Sequence, residues 1–132
     1  MSKTRHLVDP EIYPLLEMPD MDIRAETLQD IRDNPRIQLS DLPPPPFPVT
    51  EAFAPVPGGP DVKLVVINPP SDKKGRAALL HMHGGGMVLG NADMAKMGKP
   101  EIAQEHDCVI VSVDYRLAPE TPFPGPQGDN YA

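Results

Sequence analysis

The 132-residue chain carries 19 acidic and 12 basic side chains, a net charge of −7. No basic run tracks phosphates, which argues against nucleic acid and anionic membrane surfaces as partners. Its apolar runs are strand-sized and too short for a membrane span, no apolar stretch makes the N-terminus a signal peptide, and the lone Cys108 suits a reducing compartment, so a cytoplasmic location is expected.

Residues 1–42 read as a weakly helical segment. Asp9-Pro10 is a plausible helix start, a capping carboxylate followed by a proline whose missing N–H is tolerated in the first turn. Ile12, Leu15 and Leu16 form a short apolar stripe behind it. A second helix is expected from about Ile23 to Arg32. Neither has the apolar surface to stand alone, and a flexible acidic leader is the competing reading. Pro43-Pro44-Pro45-Pro46 and Pro48 make residues 43–48 a stiff linker, with a proline-rich partner motif as the alternative.

Val49 to Val56 reads as an outer strand, Pro57 to Asp61 as a turn, and Val62 to Ile67 as the second strand of a hairpin. The apolar runs 77–82 and 108–114 lack alternation, as strands buried on both faces of a mostly parallel sheet do. The crossover between them, Ala92 to Glu105, carries Met94, Met97, Ile102 and Ala103 as a covering helix. A break is expected near Lys99, because Gly98 and Pro100 interrupt it. Cys108 reads as an inert buried thiol, and Gln127 to Ala132 opens a further helix.

The chemically informative stretch is His83-Gly84-Gly85-Gly86, at the end of the first buried run. Glycines there accept positive φ and let bare backbone approach a ligand. Consecutive exposed N–H groups can face a developing negative charge, as an oxyanion hole requires. Gly85 and Gly86 are the expected donors, Gly84 makes the bend, and the His83 ring is expected to hold the loop through its backbone. A tight turn without catalytic duty is the plain alternative. His81 and His83 share a strand face, but neither His6 nor His106 obviously supplies a third ligand, so no metal is expected. Asp114, Arg116 and Glu120 are expected to form a buried ion-pair network pinning the loop after the second run.

His83-Gly84-Gly85-Gly86 followed by Asp114-Tyr115-Arg116-Leu117-Ala118-Pro119-Glu120 resembles the hormone-sensitive-lipase family of α/β-hydrolase esterases. The resemblance implies a three-layer α/β-hydrolase fold with a mostly parallel sheet. Residues 1–42 would belong to a helical cap, and residues 49–132 to the N-terminal half of the hydrolase domain. It also places Met87, where relatives often have an aromatic residue, on the substrate pocket wall, and Thr121 where histidine is frequent. In that family the strand ending at Met82 is flanked by the strand that leads to the nucleophile, so within residues 1–132 the edge of strand 77–82 is expected to be unpaired, apolar and exposed. The nucleophile motif G-x-S-x-G does not occur; the serines are Ser2, Ser40, Ser71 and Ser112.

The expected function is therefore the N-terminal part of a serine carboxylesterase or lipase acting on small or medium acyl esters. It would supply the oxyanion loop, while the Ser–His–Asp/Glu triad lies beyond residue 132. By itself the chain is expected to be inactive, to need no metal or organic cofactor, and to take as partner the missing hydrolase segment or another protomer. The alternatives are a non-catalytic ligand-binding receptor on the same fold, or an inactive truncated fragment.

Overall fold

A computed structural model describes residues 4–19, 21–56 and 58–132, which divide into two compact units, Met1–Asn34 and Pro35–Ala132. In the first unit the Asp9 carboxylate accepts the Glu11 N–H at 2.9 Å. The cap opens a 3₁₀ turn, Pro10–Ile12, that runs into a short helix α1, Tyr13–Leu16. Helix α2, Leu28–Asp33, starts later than the apolar pattern suggests. The Thr27 hydroxyl accepts from Arg24 N at 3.1 Å and donates to Asp22 O, so local side-chain bonds hold residues 22–27 as turns.

The second unit is built on a four-stranded sheet: β1 Thr50–Ala54, β2 Val62–Ile67, β3 Ala78–Met82 and β4 Val109–Val113, in the order β1-β2-β4-β3. The expected hairpin is present, with β1 antiparallel to β2. Strand β2 runs antiparallel to β4 as well, and the parallel pairing is that of β3 with β4. Within these residues the sheet is thus mixed. A two-strand hairpin forces antiparallel pairing, whereas the long crossover from β3 to β4 permits a parallel one.

On one face, Val65, Ile67 and Ile110 are fully buried against Ala92, Ala95 and Ala103 of the crossover. That crossover is a 3₁₀ turn, Ala92–Lys96, followed by helix α3, Lys99–Glu105. The break falls at Met97 and Gly98, just ahead of the expected Lys99. Gly98 sits at φ +71°, and Pro100 occupies the first turn of α3, where its missing N–H is tolerated. Phe47 is buried in the same core. The 43–48 segment is therefore docked on the sheet through its one aromatic side chain, not a free spacer. The opposite face carries Val62, Val113 and Tyr115. Helix α4, Gly125–Tyr131, closes the chain.

Strand β3 lies at the sheet edge, as the strand order implied by the resemblance predicts, but its faces, read as buried, leave Leu79 45%, Leu80 56% and Met82 57% exposed. It is the edge strand, and its composition anticipates a covered position that the described residues do not supply. An apolar, unpaired edge is a template for further pairing. Residues 1–132 should elute as oligomers or aggregates in size-exclusion chromatography with light scattering. Leu80→Lys, a charge on that edge, should raise the monomer fraction. A monodisperse, cooperatively unfolding wild-type monomer would contradict this reading.

Candidate active site

Parallel pairing sets Met82 opposite Val113. The segments that follow, His83 onward and Asp114 onward, thus leave the sheet side by side at the C-terminal ends of their strands, where open α/β sheets commonly bind ligands. Three hydrogen bonds then fasten one segment to the other. The Tyr115 hydroxyl donates to His83 O at 2.7 Å, Ala118 N donates to Met87 O at 2.8 Å, and Ala92 N donates to an Asp114 carboxylate oxygen at 2.8 Å. The start, middle and end of the glycine loop are all held by residues 114–118.

The His83 ring is buried, stacked on Tyr115 with centroids 4.0 Å apart and planes 4° from parallel. Its Nδ1 lies 2.9 Å from Gly84 O. A carbonyl only accepts, so Nδ1 carries the proton, and the loop-backbone contact expected of His83 is in place. Gly85 (φ +129°), Gly86 (φ +63°) and Gly90 (φ +87°) adopt backbone that disfavours side chains. Gly85 O accepts from both Val88 N and Leu89 N, closing a tight turn. The Gly85 and Gly86 amides have no acceptor among the described residues, and both residues are exposed. Met87, also exposed, is held at φ +65° by the Ala118 bond. A non-glycine residue in that region is strained, and such outliers cluster at functional sites.

The expected Asp114–Arg116–Glu120 network is rearranged. Arg116 forks onto Asp129 of α4, with Nε–Oδ2 at 2.9 Å and Nη2–Oδ1 at 2.7 Å, while Arg116 N donates to Oδ2 at 2.8 Å. These hydrogen bonds hold the Asp129 carboxyl below its usual value despite burial. Asp114 faces Lys63, whose ammonium stands 3.1 Å from Asp93 and 3.8 Å from Asp114. Burial pulls the Lys63 pKa down, but the Asp93 hydrogen bond and the charges of Asp93, Asp114 and Glu51 outweigh it, so the net shift is upward. Sequence reasoning missed Lys63 and Asp129, which no local signal marks, and gave Tyr115, though within the quoted motif, no role of its own; strand register supplies one.

His81 does not pair with His83 but meets the Ser112 hydroxyl at 3.0 Å. Burial, then the charges of Lys99 and His83, push its pKa down and favour the neutral ring. A serine beside a neutral imidazole invites a nucleophile–base reading, but Ser112 has zero exposure at the centre of β4 and no substrate reaches it. Among the described residues no cluster of three or more metal-ligating side chains forms.

A mixed sheet whose parallel strands end in a glycine-rich loop with unspent amides fits the α/β-hydrolase fold. Residues 79–132 match the family described as alpha/beta hydrolase fold, and the chain is similar to carboxylesterases and lipases. It is 32% identical over 129 residues to carboxylesterase NlhH of Mycobacterium tuberculosis, covering 93% of this chain and 40% of that one. It is 41% identical over 69 residues to hormone-sensitive lipase of Bos taurus, covering 50% of this chain and 9% of that one. The solved Pyrobaculum calidifontis esterase superposes with a TM-score of 0.74 at 28% identity, covering 92% of this chain and 40% of that structure. The chain spans less than half the length of the relatives it matches.

Two expectations follow from the geometry. A Cβ on Gly90 would lie 2.5 Å from Gly84 O and 2.7 Å from His83 Nδ1, so Gly90→Ala should destabilise the chain by roughly 2–3 kcal/mol in denaturant unfolding. The second concerns acid. The folded Asp129 pKa lies below the ordinary 3.8, so its contribution is complete above that value and is lost as pH falls through the lower, folded one. Asp129→Asn should flatten the fall in stability below about pH 4, measured by thermal unfolding across pH.

Proposed function

We propose that this chain supplies the oxyanion hole and part of the acyl-pocket wall of a serine carboxylic-ester hydrolase. The substrates would be small or medium acyl esters, the working compartment the cytoplasm. The reading rests on one observation above the others: Gly85 and Gly86 present unspent amides at the strand ends, in a loop fixed from three sides. The names of the relatives, carboxylesterase and lipase, support it.

In this mechanism a serine hydroxyl, deprotonated by a histidine that a carboxylate orients, attacks the ester carbonyl. All three groups lie outside residues 1–132. As the carbonyl oxygen becomes an oxyanion, the Gly85 and Gly86 N–H groups donate to it. They need no reorganisation at that moment, because the loop already holds them. Met87 lines the pocket, and its unbranched thioether adapts to acyl chains of different shape. Asp114, Arg116 and Glu120 take no part in the chemistry and serve the frame.

Residues 1–132 alone should hydrolyse p-nitrophenyl esters no faster than a protein without esterase activity. Turnover abolished by a serine-directed phosphonate would contradict this. A hybrid joining residues 1–132 to the remainder of carboxylesterase NlhH should hydrolyse such esters. A hybrid that unfolds cooperatively yet turns nothing over would overturn the proposal.

Gly85 is a poor residue for probing the loop, since an added Cβ would sit 2.0 Å from Leu89 O. Gly86 has open space around its Cβ position, and a branched side chain strained at its φ of +63° would turn its N–H away without a clash. Gly86→Val in the hybrid should lower kcat about 10²–10³-fold with KM little changed, as loss of a transition-state donor does. Near-normal kcat would mean that the loop is only a turn.

A further inference from the structure

Tyr115 is a buried polar residue that the proposed chemistry leaves unused. Its ring lies flat against His83, and its hydroxyl is spent on His83 O. The His83 ring in turn donates to Gly84 O. Gly84 C=O and Gly85 N–H belong to one planar peptide group and point in opposite directions across it. Whatever fixes Gly84 O therefore fixes the direction of the Gly85 N–H. Glycines on both sides of that peptide leave little else to stop it rotating.

From this chain of contacts we infer that Tyr115 is a positioning residue that aims the Gly85 amide, acting through the His83 ring. The inference deepens the oxyanion-hole reading above and rests on it for its catalytic consequence. The stack sets the plane of the imidazole, and the hydroxyl bond sets the backbone from which the imidazole hangs. Asp114 and Ala118, on either side of Tyr115, pin the far end and the middle of the same loop, so the tyrosine controls its near end.

Two variants separate the two contacts: Tyr115→Phe keeps the ring and loses the hydroxyl bond, while Tyr115→Leu loses both. In the full chain, hydrogen exchange read by mass spectrometry should speed up about 10-fold or more in peptides covering 83–92 for the leucine variant. The phenylalanine variant should fall between it and wild type. The β1–β2 hairpin should be unchanged in both. If Tyr115 merely fills the core, the leucine variant should loosen the Val62–Val113 cluster and the hairpin as much as the loop, and the inference falls.

In the hybrid enzyme Tyr115→Phe should lower kcat about 10-fold with KM within about 2-fold, a split that a general loss of folded protein does not produce. Loosening of 83–92 with unchanged kcat would leave the positioning role standing and remove the oxyanion reading. An unaltered loop in the phenylalanine variant, with Tyr115→Leu folded or not, would remove the positioning role whatever the kinetics.

Discussion

The parallel register of β3 against β4 is the constraint on which the site depends. Because Met82 faces Val113, two chain segments some thirty residues apart emerge together, one rich in glycine and one rich in hydrogen-bonding groups. A one-residue slip would turn every side chain of β3 to the other face and carry His83 away from Tyr115. The register is set by what each face buries. Ile110 and Ser112 point toward the crossover with Leu79 and His81 beside them, while Val113 packs with Val62 on the opposite face.

The glycine loop is conformationally expensive. Three glycines and Met87 hold positive φ within six residues, and glycine loses more freedom on folding than any other residue. Such a stretch stays in one conformation only when its surroundings over-determine it. Residues 114–118 do so with three bonds, and the Arg116–Asp129 fork ties that segment to α4 in turn. Lys63 joins the same frame from β2 by lying between Asp93 and Asp114. Rigidity of this kind lets a backbone amide act as a preorganised donor, since a loop that reorients during reaction gives back part of what it stabilises.

The sequence made the strands, the crossover and the loop legible, because each rests on a local signal: apolar runs, a glycine triplet, a proline in a first turn. What it hid depends on long-range choices. Arg116 had acidic candidates in its own motif and took Asp129, because α4 places that carboxylate at zero exposure beside the Arg116 backbone N–H as well as its side chain. Tyr115 stood in the motif without a role of its own, and only the register shows that its ring lies on His83. The open edge of β3 was expected from the strand order, but the burial of its faces was overestimated for the opposite reason. Its apolar composition describes what the strand is suited to be covered by, not what covers it among these residues.

The three hydrogen bonds that fasten the glycine loop come from residues 92, 115 and 118, and none of them involves a nucleophile. Proximity of serine to histidine is no substitute for one: Ser112 and His81 are within hydrogen-bond distance, yet Ser112 is fully buried in β4, where the half-buried His81 only satisfies its hydroxyl. The oxyanion side of the proposed chemistry is thus separable from the side that attacks. A strand end, a glycine turn and a clamping tyrosine are enough to fix backbone donors in space before any nucleophile is brought to them. The edge of β3 borders that loop directly, so a strand added there would lie beside amides already in position.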